Sequence, residues 1–562
     1  MHSVRTLLKS TPYLLTLLAL LYFFSQPAST ESPAPDVRQT IETLLAGKQH
    51  PLLLQTDFSE HGEAVTQLYQ LNAYQLIWLG ADKPAKNRED ALAILRNAAA
   101  DGLNPVHYDA ERLRAYMQHA ATLPPSATTE LASYDMALSV ALLHFLHDLH
   151  VGRIDPRNLD YPLQFAAKSA ADVAALLSQA AGQQTLAELP GMLAPQIKQY
   201  QQLQQWLAVY RPQTASEPRE QLTFTKSLRP GEHDAQLPEL RRHLLDMGEL
   251  PAQDLAGTGM AETAYDPVAV DAVKRLQVRQ GLQADGLIGR QTLALLNQSP
   301  ADKVALIELA MERLRWLPAL PEGPRIVVNI PAFKLWAFTS LDDENPLTMK
   351  VIVGKAEHNQ TPMLWEEMKY LEFMPYWNIP KSIMDKEILP KLVGDDMYLA
   401  DQDIELVERY ADEDEAQDDI IENIRRGRIR ARQRPGSKNP LGRVKFVFPN
   451  KADVYLHDTP GKAAFNKDRR DLSHGCVRVA EAAKLAEFVL GDQGRWDLQT
   501  IQQAMAGPGT RRVSLKKSIP VLFFYATAFV ESDDKPRFYP DIYGQDGLLQ
   551  SALNKSSALN NP

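Results

Sequence analysis

The sequence predicts a multidomain α+β protein: a mostly helical N-terminal domain, a small helical bundle, and a β-rich C-terminal domain broken by a helical insertion. Three observations carry this. With 562 residues and 44% hydrophobic content, the chain has material for three or four folded cores. Alanine, leucine and glutamine recur at helical spacing from Val37 to about Arg219, and a second helical pattern follows from Leu237 to Asn297. After Trp316 the period changes to short β-branched and aromatic runs ("RIVVNI", "FKLWAF", "LTMKVIVG", "MKYLEF", "RVKFVF", "ADVYLH") separated by Pro, Gly and Asn.

Taken in order, residues 1–30 place His2, Arg5 and Lys9 before an apolar run from Tyr13 to Phe24, the layout of a secretory h-region. The run is short of the about twenty apolar residues of a membrane helix, although Leu7 and Leu8 extend it beyond Pro12. No clean small-x-small cleavage site follows, so an uncleaved signal anchor is expected over a cleaved signal peptide. A polar, proline-bearing linker leads into the helical domain, 36–225. There His144, His147 and His150 recur every third residue; without carboxylate partners that spacing marks a polar helix stripe rather than a metal site.

The bundle, 233–298, starts its main helix with Asp266 as cap and Pro267 at the first helical position, then turns at Asp285 and Gly286 into a second helix from Arg290 to Asn297. A linking helix is expected from Lys303 to Trp316. The β-domain spans 324–547. Its insertion, 381–434, reads as helical and two-toned, acidic from Asp395 to Asp419 and then basic at Arg425, Arg426, Arg428, Arg430, Arg432 and Arg434. Residues 548–562 read as a disordered tail.

The formal charge of −10 gives no basic excess with which to neutralise phosphates, so nothing points to nucleic acid. Cys476 is the only cysteine, which excludes an intramolecular disulfide and a cysteine-based zinc site; no metal or cofactor is expected. A lone thiol behind an export signal reads as a working group.

A free thiol titrates near 8.5, so a nucleophilic Cys476 needs a base. His457 is the candidate. Alternation from Val454 to His457 predicts a strand on which Tyr455 and His457 share a face and Asp458 points away. A backbone carbonyl, rather than Asp458, is therefore expected to hold the imidazole. Gly475 permits a tight turn whose N–H groups, at Gly475 and Cys476, could form an oxyanion hole. The apolar helical pattern at Ala482, Leu485, Ala486 and Val489 suggests a helix start close enough to lower the thiol's pKa.

The segments "YLHDTP" and "SHGCVRV" closely resemble the signature of the L,D-transpeptidases that act on peptidoglycan. The resemblance extends to "MPYWNIPKSI", "RQRPGSKNPLGRVKFVFPN" and "FYPDIYGQDG", which look like the large multidomain members of that family. It implies a helical scaffold domain, a peptidoglycan-binding bundle, to which "LQ...GL..DG.IG..T...L" is similar, and a β-sandwich catalytic domain with a helical lid insertion. It further implies a location on the periplasmic side of the inner membrane or in the periplasm, penicillin-binding proteins and carboxypeptidases that supply tetrapeptides as partners, and carbapenems as inhibitors.

By the same resemblance, Cys476 attacks a tetrapeptide stem between its third residue and D-alanine, His457 protonates the leaving amine, and the side-chain amine of a neighbouring third residue resolves the thioester into a 3→3 cross-link. Ser473 and His474 would shape the turn, Tyr455 would line the site, Trp377 and Asn378 the groove wall, and Arg478 would meet a stem carboxylate or brace the loop. Water as acceptor would make the protein an L,D-carboxypeptidase, and a lipoprotein lysine would make it an anchoring enzyme. A non-catalytic wall-binding scaffold leaves the Cys476 motif without a purpose.

Overall fold

The computed structural model describes residues 35–159, 163–164, 172–215, 219–255, 262–395, 397–408, 424–425, 427 and 429–559. The expected signal segment and, within the acidic run, residues 396 and 409–419 lie outside these residues. Among the described residues no helix is long and apolar enough to cross a membrane.

The N-terminal region is helical, organised around the long helix Thr128–Val151, most of whose side chains are buried against its neighbours. The small bundle forms as its caps dictate: Asp266 accepts from Ala269 N, Pro267 opens the helix Pro267–Arg279, and a second helix runs Arg290–Leu296. A capping box between Ser299 and Asp302 then starts the linking helix Pro300–Arg315. Its last turn joins the units. Glu312 accepts from Arg153 N (2.6 Å) and Ile154 N (3.0 Å) of the helical region and pairs with Arg315 (2.9 Å), while the buried Arg313 pairs with Asp546 (2.6 Å).

Among the described residues, eight strands form the main sheet circuit of the C-terminal domain: β1 Arg325–Asn329, β2 Lys334–Phe338, β3 Leu347–Gly354, β4 Met363–Phe373, β5 Val444–Val447, β6 Leu456–His457, β7 Val477–Val479 and β8 Arg511–Phe524. Hydrogen bonding runs β4–β8–β1–β2–β3–β7–β6–β5 and returns from β5 to β4. The expected sandwich of two sheets is thus a closed ring with no free edge along this circuit. Val351, Val353, Phe446, Leu456, Val477, Val479 and Phe523 fill its core.

Two further expectations are corrected. The insertion is not wholly helical: short helical turns over Lys381–Gly394 pack on a three-stranded sheet of Trp377–Asn378, Ile429–Gln433 and Ile404–Glu408, with an apolar cluster of its own. Of its basic run, Arg430 and Arg432 lie on a strand and face out while Ala431 between them is buried; Arg426 and Arg428 lie outside the described residues. The tail is not disordered from residue 548, since a helix spans Gln545–Leu559. Asp541 accepts from Gln545 N and Asp546 N at its start, Leu549 is fully buried, and Asp546 reaches both Arg313 and Thr527 (2.6 Å each). Arg313 and Thr527 come from segments more than 15 residues away, which composition does not register.

Candidate active site

Strands β6 and β7 run parallel, with Leu456 opposite Val477 and His457 opposite Arg478. Leu456, Val477 and Val479 point into the barrel core. Side chains one step out of phase take the outer face, so Tyr455 and Cys476 sit side by side there, and His457 lies beside Arg478. Val477 N donates to Tyr455 O (3.0 Å), fixing this register next to the cysteine. On the other flank β5 places Lys445 opposite His457.

The imidazole is held by main chain. His457 Nδ1 lies 2.6 Å from the Asp458 carbonyl, which only accepts, so Nδ1 carries the proton and Nε2 keeps its lone pair. The Asp458 carboxylate is committed elsewhere, to Arg443 N (2.9 Å) and Lys462 Nζ (2.6 Å). The tight turn needed for this is why residue 442 is glycine: at φ +61° a Cβ there would stand 2.4 Å from Asp458 Oδ2.

Electrostatics set both partners neutral at rest. Burial, and then the charge of Arg478, push His457 down to about 3. Burial pushes the Cys476 thiol up, opposed by hydrogen bonding from Tyr455 and by the Lys445 charge. The expected helix does not assist: Cys476 is followed by strand β7, and the helix Ala482–Leu490 starts five residues downstream of Val477. Helix-terminus effects fade within a turn, so the thiol receives none.

The turn before the cysteine departs from expectation in a second way. Gly475 adopts φ +112°, which demands glycine, but its N–H donates to Ser473 Oγ (3.2 Å), whose hydroxyl in turn donates to Cys476 O (2.6 Å). Ser473 shapes the turn, and only the Cys476 N–H of the two proposed donors is unpaired among the described residues. His474 does not shape it. Its ring leaves the turn and meets Glu387 of the insertion, Nε2 to Oε1 at 2.6 Å.

Tyr455 lies 5.7 Å from the His457 ring, with Lys445 Nζ 3.8 Å from its own ring centre. Trp377 packs on the insertion's apolar cluster, and Asn378 is exposed beside it on a strand paired with Arg432. Arg478 stays close to Cys476, and its Nε is buried without a partner among the described residues.

Sequence reasoning missed three contributors. Lys445 was readable as the outward residue of "RVKFVF". Thr361 and Tyr543 were not, because their contacts are long-range: Thr361 Oγ donates to Gly475 O (2.7 Å), Thr361 N donates to Tyr543 OH (3.2 Å), and Tyr543 OH donates to Gly354 O (2.6 Å). Together they pin the turn before Cys476 to the loop after β3.

Comparison with known proteins is consistent along the chain. Residues 323–522 match the L,D-transpeptidase catalytic domain (YkuD), residues 233–296 a "Putative peptidoglycan binding domain", and residues 63–207 a scaffold domain. The match to the L,D-transpeptidase catalytic domain takes in His457 on β6 and Cys476 just before β7. A relative from Haemophilus influenzae named "Putative L,D-transpeptidase" is 32% identical over 290 residues, covering 50% of this chain and 58% of the relative, so the chain spans little more than half of that protein. Crystal structures of L,D-transpeptidases from Xylanimonas cellulosilytica (TM-score 0.17, covering 54% of this chain and 100% of that one) and Stackebrandtia nassauensis (0.20, 54% and 97%) are each 14% identical.

Proposed function

We propose that the protein is a peptidoglycan L,D-transpeptidase in which Cys476 is the nucleophile and His457 the base. The observation that carries this is the outer face of β6 and β7, where a buried imidazole with a free Nε2 sits one register step from the chain's only thiol. As Cys476 Sγ attacks the carbonyl carbon of the third stem residue, its proton passes to His457 Nε2, and the Cys476 N–H stabilises the oxyanion. Collapse of the tetrahedral intermediate breaks the peptide bond; the imidazolium protonates the departing D-alanine amine, leaving a thioester. The amine of a neighbouring third residue then attacks, His457 takes its proton, and a 3→3 cross-link forms while the thiol is restored.

Because thiol and imidazole both start uncharged, thiolate forms in step with attack rather than standing as an ion pair. Arg478, with its buried Nε unpaired, suits a stem carboxylate. The contact between His474 and Glu387 supports the insertion as a lid, since it ties that segment directly to the catalytic turn. The peptidoglycan-binding match supports the wall as substrate and a site of action outside the cytoplasm, with synthases and carboxypeptidases supplying tetrapeptides.

The test is mass analysis of muropeptides after incubation with tetrapeptide-rich peptidoglycan. Cross-linked dimers support the reading; tripeptides alone would make the protein an L,D-carboxypeptidase, and attached lipoprotein an anchoring enzyme. Absence of any thioester on Cys476 with either stem peptide or carbapenem sinks all three.

A further inference from the structure

Away from the cysteine, where the small bundle meets the barrel, lies a cavity of about 510 Å³. Its walls come from both units: Gln280, Gly281 and Gln291 on the bundle side, and Lys334, Thr348 and Lys350 at the ends of β2 and β3. Hydrogen bonds seal the seam, Gln283 N to Asp468 Oδ1 at 2.8 Å and Phe538 N to Gln280 Oε1 at 2.9 Å, and Gln280 is only 8% exposed. The cavity is therefore a feature of the docked units, large enough for a disaccharide or short peptide.

Its chemistry is selective. Six basic side chains line it against three carboxylates, and most of both sets are engaged: Glu531 holds Lys334 (2.6 Å) and Tyr539 OH (2.8 Å), and Asp468 accepts from Gln283. Arg469 pairs with Asp471 (2.8 Å), Arg537 with Asp533 (2.7 Å), and Arg470 donates to main-chain carbonyls. That leaves the exposed Lys350, bonded to a single carbonyl, as the cation best placed to meet a ligand. Arg279 reaches Glu249 on its own unit, yet its Nε is buried with no partner among the described residues. Between the charges lies an apolar floor that includes Ala332, Met349 and Ile542. Cations around an apolar floor fit a ligand with carboxylates and flat, weakly polar ring faces.

We propose that this cleft is a second wall-ligand subsite, taking a carboxylate-bearing glycopeptide segment while another occupies the Cys476 site. The proposal rests on the transpeptidase reading and gives it a place to hold the polymer. One wall of the cleft, Asp468 to Arg470, belongs to the loop joining His457 to Cys476. The same loop covers the outer face of β3, where Lys350 Nζ donates to Phe465 O (3.3 Å) and Lys462 Nζ to Ala480 O (2.9 Å). An occupant of the cleft thus touches the loop that carries both catalytic residues at its ends.

The test uses the full chain with Cys476→Ala and calorimetric titration of a reduced disaccharide-tetrapeptide. A binding component should weaken by about 10-fold on adding Thr348→Trp, which fills the cleft from an exposed position, and by a smaller factor with Lys350→Glu. The same component should be lost when the tetrapeptide carboxylates are amidated. Gln291→Trp fills the cleft from the bundle side if Thr348→Trp fails to fold. Unchanged affinity in a folded, filled variant overturns the subsite, and equal binding of the amidated ligand overturns its carboxylate selectivity. Carbapenem acylation of Cys476 in Thr348→Trp alone should match the wild-type rate; its absence from the wild type as well would remove the transpeptidase reading without touching the binding result.

Discussion

Two buried groups of histidine show opposite solutions to one problem. In the helical region, His61, His144 and His147 gather around Asp148, with His144 Nε2 and Tyr108 OH at 3.2 and 2.9 Å from its Oδ2 and the His61 and His144 rings 4.7 Å apart. Burial pushes Asp148 up, but His144 and His147 outweigh it and hold the carboxyl well below its usual range. At the active site the neighbours of His457 are Arg478 and Lys445, and its only tether is a carbonyl. A carboxylate partner favours imidazolium and binds structure together; at His457 burial and the nearby cations favour the neutral base and outweigh the carbonyl, which favours imidazolium. The first arrangement stabilises, the second keeps a lone pair available. Asp148 also corrects the view of the histidine stripe as lacking a carboxylate. The described residues nevertheless hold no group of three or more His, Cys, Asp or Glu placed for a metal.

The contrast breaks most severely at the thiol. Cys476→Ala should abolish acyl transfer while leaving the melting temperature within a few degrees of wild type; retained cross-linking in that variant would end the mechanism. Next, His457→Gln should lower acylation by about 100-fold or more, whereas Asp458→Asn, which keeps the carbonyl that holds the ring, should cost far less. Equal losses would point to a side-chain triad.

On the other side of the comparison, Asp148→Asn leaves histidines and Tyr108 without their buried anion and should cost about 3 kcal/mol of stability with carbapenem acylation of Cys476 retained in the folded fraction. Unfolding and acylation measured on one sample decide it.

Acid gives a finer version. Burial and then His144 lower His61 to about 3, and burial lowers His50 to about 4. Both are below the unfolded value of 6.5, so the unfolded chain binds more protons, and stability present above pH 6.5 is lost as pH falls towards the folded values. His147, raised by Asp148 against its own burial, works the other way. The net expectation is a melting temperature that drops between pH 7 and pH 5, with a smaller drop in His61→Phe. His457 stays neutral over that range, so acylation of still-folded protein should not fall in parallel.

The smallest effect belongs to the insertion. Glu387→Gln removes the charge facing His474 and should alter turnover of disaccharide-tetrapeptide by a few-fold, with little change for a small carbapenem. Equal changes for both substrates would make the contact a brace of the turn.

Local chemistry was readable from the sequence and distant pairing was not. Asp266, Pro267 and the strand alternations are decided by neighbours in the chain, and the tether of His457 followed from the phase of Val454 to His457. The closed ring depends on β5 meeting β4 across 70 residues, the tail helix on Arg313, and the turn's support on Thr361 and Tyr543. The nearness of a helix to Cys476 was overestimated because three residues of strand intervene, and three residues carry no periodicity.

The ring has a temporal consequence. Its last strand, β8, lies between β1 and β4, so both of those earlier strands keep an open edge until residues near Arg511 have been made. The segment bearing Cys476 is synthesised before that strand. A chain made from its N-terminus therefore cannot close the barrel around Cys476 until β8 has followed, and completion of the ring is timed by its last strand rather than by the appearance of the segment that bears the thiol.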